Sequence, residues 1–409
     1  MTTERARRRT LALSVLLTTQ LMVILDGTIV NVALPTIRTE LGFTANGLAW
    51  VVNAFFIPFA LLLLPAGRLG DLVGSRRVFL AGLALFTAAT AACGLAVGPT
   101  SLLVARVAQG AGGALTSAVV LGMLAQLYDD EPGRARAYAL AAFVGSAGAS
   151  IGVVAGGLLT DLTSWRWVFW VNVPIGLTVL VAAVAVLDPA PEPPGLRRGL
   201  ASGLTLVPRS LLTNRAFLLP NLVLFTMTVA GFSFQFLTAL YLQDILGLDA
   251  LRTGLAYLPV TLAIAVASLG LSGRLATRYG AQRVLVAGLL LFLGGMLLMV
   301  GLPDHGSYAV HVAPGFVVMG LGFGLAMPQV TTLAMTAAPS RDAGAASGFV
   351  NTTQQAGGAL GLALVAAVAV SQGRAAGFVV AAAALALGAL VASHLAVTRM
   401  VATPTLERC

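Results

Sequence analysis

An aspartate lies inside an apolar run: Leu25-Asp26-Gly27-Thr28-Ile29-Val30-Asn31-Val32-Ala33-Leu34-Pro35 closes the first of many stretches with hardly a charge. A carboxylic acid at bilayer depth costs about 2.5–3.5 kcal/mol even on insertion scales, and by default it marks an ion or proton pathway. Arg106 interrupts another apolar run, with Gln109 one helical turn further on. At 1.5 Å per helical residue, Asp26 sits ~14 Å from the end of its run at Pro35, and Arg106 ~8 Å from the start of its own near Ser101. An arginine at that depth favours the ionised carboxylate and burial favours the neutral one. An acid held between those pulls can take up and release a proton. The structural alternative is a fixed ion pair joining two helices, but buried pairs stabilise weakly, which favours the proton role.

The chemistry that is missing narrows the function. All 24 basic residues are Arg. Without Lys there is neither the lysine of a P-loop nor an amine for Schiff-base chemistry. Cys93 lies in an apolar run and Cys409 is the last residue, so no structural disulfide is expected. His305, His311 and His394 lack metal-ligand spacing. No cluster of His, acids and nucleophiles converges, so neither enzyme activity, nor a metal, nor a cofactor is expected. The net charge of +9 sits in short loops between apolar runs, which orients helices in a bilayer and does not point to nucleic acid.

With 58% hydrophobic and 10% charged residues, the chain has the composition of a multi-pass membrane protein. A span needs about 20 apolar residues. Twelve runs qualify: 11–35, 47–66, 77–97, 101–128, 135–160, 167–187, 217–242, 253–273, 283–302, 309–335, 345–370 and 376–398. With the N-terminus in the cytoplasm, nearly every loop Arg falls inside, and only Arg38, Arg166, Arg252 and Arg374 fall outside. Residues 188–216, opening Asp188-Pro189-Ala190-Pro191-Glu192-Pro193-Pro194-Gly195, read as a cytoplasmic linker. It divides the chain into a six-helix bundle at 1–187, a second at 217–399 and a cytoplasmic tail at 400–409. The halves repeat: Gly67-Arg68-Leu69-Gly70-Asp71-Leu72-Val73-Gly74-Ser75-Arg76-Arg77 returns as Gly273-Arg274-Leu275-Ala276-Thr277-Arg278-Tyr279-Gly280-Ala281-Gln282-Arg283. Repeated halves around a midplane site are the architecture of secondary transporters. The fold class expected is an all-α membrane protein of twelve transmembrane helices in two pseudo-symmetric bundles. The absence of Lys and the excess of Ala, Gly and Leu suit a GC-rich bacterial genome, and thus a bacterial cytoplasmic membrane.

Along its whole membrane portion the chain resembles the major facilitator superfamily, in the drug:proton antiporter branch that usually has fourteen spans. Four stretches carry the likeness: Leu25 to Pro35, Gly67 to Arg77, Arg106-Val107-Ala108-Gln109-Gly110-Ala111-Gly112-Gly113-Ala114, and Trp165-Arg166-Trp167-Val168-Phe169-Trp170-Val171-Asn172-Val173-Pro174-Ile175-Gly176. The departures are the missing pair of central spans, Val153 where that branch has Pro, Leu72 in place of a basic residue, and Thr277 in place of the second-half acid. The resemblance implies spans 1, 4, 7 and 10 around a central cavity, proton-coupled efflux of amphipathic drugs by alternating access, and a monomer. An uptake or facilitative carrier, and a non-transporting membrane receptor, stay open as alternatives.

On that resemblance Asp26, Arg106 and Gln109 form the proton site. Gly67, Gly70, Asp71, Gly74, Arg76 and Arg77 form a cytoplasmic gate, which needs glycines for a close turn and an acid that pairs with Arg or sits at a helix N-terminus. The pairing expected is Asp71 with Arg76 and Arg77, in a lopsided latch because Thr277 stands in the second half. Gly148, Gly152, Gly156 and Gly157 make a smooth face on span 5, a seam between the halves or plain packing. Phe316, Met319, Phe323 and Met327 share one face of span 10, and span 7 carries Phe225, Met227, Phe232, Gln235 and Phe236. Aromatic and Met surfaces repack around varied apolar ligands, though such a stripe is as often core. Asn31, Asn53, Asn351, Thr352 and Gln355 add polar groups, for the cavity or for hydrogen bonds between helices. One carboxylate balances one charge, so neutral or singly charged lipophilic cations are the expected cargo.

Overall fold

A computed structural model describes residues 2–128, 130–187, 207–248 and 250–402, apart from the side chains of certain positions within helices, Asn31, Val153 and Gly157 among them. The described residues form helices and no strand. In chain order these are α1 (Thr2–Leu41), α2 (Ala45–Val73), α3 (Ser75–Gly94), α4 (Pro99–Gln126), α5 (Glu131–Leu162), α6 (Trp167–Trp170), α7 (Asn172–Val186) and α8 (Arg209–Leu212). They continue as α9 (Arg215–Leu240), α10 (Ala250–Ala256), α11 (Leu258–Ala265), α12 (Gly273–Tyr279), α13 (Ala281–Val300), α14 (Ala313–Thr336), α15 (Ala343–Gln372) and α16 (Arg374–Ala402). Three π-helical segments, Tyr241–Ile245, Val266–Ser272 and Tyr308–Val312, extend α9, join α11 to α12 and lead into α14. Eleven helical stretches among the described residues are long and apolar enough to cross a membrane, and the 32-residue α5 occupies the fifth apolar run. Most of the linker, 188–206, and the end of the tail, 403–409, lie outside the described residues.

Local chemistry places the helix ends. The Thr44 side chain accepts from the Gly47 amide to cap α2, and the Asn214 side chain caps α9 through Ala216. Between α2 and α3 the chain turns at Gly74 with φ 99°, and the repeated motif turns at Gly280 with φ 87°. Both angles lie in the left-handed region that favours glycine. In each turn the glycine amide closes on the residue four back, Gly70 or Ala276. The repeated motif is thus one positive-φ glycine turn used twice. At the far end of α7, Arg8 and Arg76 donate to the carbonyls of Val186 and Val184, satisfying acceptors that a helix C-terminus leaves open.

Two compact units emerge, one from the described residues of Met1–Asp130, Val144–Leu211 and Ala338–Thr352, the other from those of Glu131–Phe143, Leu212–Ala337 and Thr353–Cys409. They depart from a clean division at the linker. Residues 338–352 group with the first unit because Asp71 accepts from the amides of Gly344 and Ala345, and Asn351 donates to the carbonyl of Ser117. Within the first unit α4 lies backbone against backbone on its neighbours. A Cβ at Gly110 would stand 2.2 Å from the carbonyl oxygen of Phe55 on α2, and one at Gly112 2.5 Å from the amide of Phe86 on α3. The second unit repeats the device on α14, where Cβ atoms at Gly320 and Gly322 would meet the Val260 carbonyl at 2.5 Å and the Phe292 amide at 2.3 Å.

Gly112→Val should therefore overpack α3 against α4 and cost about 1–3 kcal/mol. Gly294→Val adds the same atoms where nothing lies within 4 Å. Thermal unfolding of the purified protein in detergent should show a lower midpoint for the first variant only. Equal shifts would dismiss the close-approach account.

Candidate functional site

The fully buried charges of the first unit, among the described residues, meet in one place. Asp26 on α1 and Arg106 and Gln109 on α4 are each 0% exposed. Arg106 Nη1 donates to Asp26 Oδ2 at 2.5 Å and to Gln109 Oε1 at 2.8 Å. Gln109 Nε2 donates to Asp26 Oδ1 at 2.7 Å and to Thr90 Oγ1 on α3 at 2.8 Å. Arg106 Nε reaches the Val51 carbonyl on α2 at 3.0 Å. The guanidinium lies over the Phe55 ring, 4.6 Å from its centroid, with Phe169 at 5.9 Å. The glycines that let α4 approach α2 and α3 thus bring a carbonyl and a hydroxyl within reach of the buried ions.

The three residues expected to form the proton site do meet. Sequence reasoning missed the Thr90 hydroxyl, the Cys93 thiol, which lies 3.6 Å from Gln109 Oε1, and the Val51 carbonyl. Thr87, Thr90 and Cys93 are small polar interruptions of span 3 at three-residue spacing, and that spacing is the signal available for Thr90 and Cys93. A backbone carbonyl leaves no signal. Both carboxylate oxygens are engaged and Arg106 already balances the charge, so the expectation that Asp26 neutralises a cationic cargo does not fit this geometry.

The Asp71 cluster corrects the expected latch. Asp71 Oδ1 accepts from the Gly344 amide at 2.7 Å and Oδ2 from the Ala345 amide at 2.8 Å, so the acid sits at the N-terminus of α15. That is the favoured place for a negative charge on a helix. The basic partner is Arg68, 3.9 Å from Asp71 and 3.6 Å from Asp342. Arg76 instead caps α7, and Arg77 is exposed. Gly67 allows the contact, since a Cβ there would stand 2.4 Å from the Gly344 carbonyl oxygen. Gly70 packs on Val119, and Gly74 makes the turn. Asp342, which comes from the second half of the sequence, adds a second acid beside Arg68.

The glycine face of α5 packs on α1. Cβ atoms at Gly148, Gly152 and Gly156 would meet Ile24 and Leu21, the Thr28 hydroxyl, and the Ile29 carbonyl. Its partner is thus the helix that carries Asp26, within one unit, rather than a seam between halves; the Gly157 position lies outside the described residues.

The expected cavity residues differ in their local surroundings. Phe316 and Met319 are core of the second unit. Phe316 stands among Phe234, Tyr257 and Tyr308 at centroid distances of 5.1, 5.2 and 6.3 Å, and Met319 fills the space over Gly295. Phe323 is half-buried edge-on to Phe292, while Met227 and Met327 are buried. Phe232, 44% exposed beside Gly358, with exposed Gln235 and half-buried Phe236, keeps an accessible face on α9. Asn53 is exposed and Gln355 half-buried. Asn351 and Thr352 bond to main-chain carbonyls, the default for polar groups in a span. The Asn31 side chain lies outside the described residues.

The profile of the Major Facilitator Superfamily matches residues 16–362. The chain is 34% identical to the puromycin resistance protein pur8 of Streptomyces alboniger, over 88% of this chain and 81% of that one. It is 33% identical to the cephamycin export protein CmcT of Amycolatopsis lactamdurans, over 89% and 85%. A probable actinorhodin transporter of Streptomyces coelicolor is 32% identical over 88% and 72%. Among solved structures, the transporter FucP in its outward conformation is similar with a TM-score of 0.74 at 17% identity, over 95% of this chain and 99% of that one. The proton:xylose symporter XylE has a TM-score of 0.75 at 13% identity, over 94% and 95%.

Asp26→Asn should leave Arg106 buried without a counter-ion and cost about 3–5 kcal/mol, the range for breaking a buried pair. The double variant Asp26→Asn/Arg106→Gln should recover much of the loss. A double-mutant cycle on detergent unfolding reads the coupling, and simple additivity would show that the pair contributes nothing to stability.

Proposed function

The chain belongs to the Major Facilitator Superfamily, and on that premise we propose that it exports small amphipathic antibiotic-like compounds in exchange for protons, by alternating access. The observation that carries the reading is the buried Asp26–Arg106–Gln109 network. A carboxylate in apolar surroundings binds a proton when its neighbours can tolerate the lost charge. Here Arg106 keeps Gln109 Oε1 and the Val51 carbonyl as acceptors once Asp26 is neutral. Arginine stays protonated in proteins, so the exchangeable proton is assigned to Asp26 alone. Uptake of that proton from outside and its release inside would drive the outward step.

Export is favoured over uptake by the names of the relatives, which refer to resistance and export. The Arg-rich loops belong in the cytoplasm with both termini, in a bacterial cytoplasmic membrane. The working unit is a monomer of two six-helix bundles, 1–187 and 217–399, joined by the linker 188–216. The contact of Asp71 with the N-terminus of α15 acts as the cytoplasmic gate, with Gly67, Gly70 and Gly74 shaping it and Arg68 in the role expected of Arg76 and Arg77. Accessible Phe232, Gln235 and Phe236 are the better candidates for cargo contact.

In proteoliposomes, wild-type protein should couple dye or antibiotic export to proton flux, and cells expressing it should gain resistance across a drug panel. Asp26→Asn/Arg106→Gln, chosen because it preserves charge balance, should fold and yet lose both. Substrate-driven proton flux that survives in this variant would remove Asp26 from the coupling role.

A further inference from the structure

The segment that joins the two halves of the sequence ends in α8, and α8 is docked. Leu211 is fully buried, and the Ser210 hydroxyl donates to Asp342 Oδ2 at 2.8 Å. Asp342 is only 6% exposed and sits in the turn Ser340–Asp342 that precedes α15. Two guanidinium groups face it at longer range, Arg68 at 3.6 Å from Oδ1 and largely exposed Arg341 at 3.6 Å from Oδ2. Arg68 also lies 3.9 Å from Asp71. Ser210, Asp342, Arg68 and Asp71 therefore form a row in which two buried acids share one guanidinium, and each acid draws its short hydrogen bonds elsewhere. Asp71 takes two from the amides of α15, and Asp342 takes one from Ser210.

We propose that α8 is a working part of the gate: Ser210 holds Asp342, Asp342 holds Arg68, and Arg68 stands beside Asp71 only while the connector is docked. The inference rests on the reading of Asp71 as a gate residue and adds the connector to it. A carboxylate removed from water needs its hydrogen bonds satisfied, and charge-assisted bonds are the strong ones. Without the Ser210 hydroxyl, Asp342 turns toward solvent and draws Arg68 away from Asp71. Undocking of α8 is then a step of gate opening, and Ser210 is a positioning residue for transport.

Hydrogen–deuterium exchange of the full-length protein in nanodiscs, paired with dye export in everted vesicles, tests this. Ser210→Ala and Asp342→Ala should speed amide exchange across 207–214 about tenfold, the behaviour of a locally unfastened segment, and should lower the export rate. Ser210→Thr, which keeps the hydroxyl, should retain wild-type exchange and export. Asp71→Ala should speed exchange at 343–348 and leave 207–214 unchanged. Wild-type exchange at 207–214 in Ser210→Ala overturns the proposal, as does faster exchange with undiminished export. The gate reading fails separately, if Asp71→Ala exports at the wild-type rate.

Discussion

A carboxylate and a guanidinium that have both left water must find every partner within the protein, and the first unit is built around meeting that demand. Asp26 gains two hydrogen bonds from two α4 side chains, and those side chains are answered by Thr90 on α3 and the Val51 carbonyl on α2. None of this is possible unless α4 lies close to both neighbours. Gly110 and Gly112 provide that closeness, and any larger side chain there would strike main-chain atoms. Arg106 Nη2 alone stays without a hydrogen-bond partner, beside aromatic rings that offer the cation a weaker attraction. The site is therefore well enough satisfied to fold, and one donor short of being inert.

The same problem recurs at Asp71 with a different solution. Here the donors are main-chain amides at the start of α15, whose orientation is fixed by the helix itself. Amide donors add no side-chain charge, so Arg68 remains to be shared with Asp342. A contact assembled from a helix end can be made or broken as a unit, because both amides move together. The ion network around Asp26, by contrast, draws on four helices and one main-chain carbonyl and is suited to small changes in charge rather than to separation.

What was legible in the sequence followed from cost. A buried acid and a buried arginine stand out against apolar runs, so Asp26, Arg106 and Gln109 could be brought together from depth and family likeness. The membrane-length helices, eleven among the described residues, were legible for the same reason, since length and apolarity are what a bilayer demands. Partners that are backbone groups are invisible in a sequence, which is why it pairs Asp71 with Arg76 and Arg77, the basic residues just past the turn, and not with the amides of α15 beside Arg68. Arg76 was already committed to the open carbonyls at the end of α7. The Phe and Met stripe failed for another reason: a helix in a bundle has more than one packed face, and residue type does not say which face meets a cavity. Phe316 and Met319 lie in the core, while Phe232 keeps its exposure.

One buried thiol gives this network its own spectroscopic handle. Cys93 points its sulfur at Gln109 Oε1, the same oxygen that receives Arg106. The S–H stretch absorbs where proteins are otherwise nearly transparent, and its frequency follows the strength of the acceptor. If Asp26 takes up a proton in the coupling role proposed for it, the donors around Gln109 redistribute and the thiol band should move with them. The chain carries a native vibrational probe at its most deeply buried ions, readable without any label.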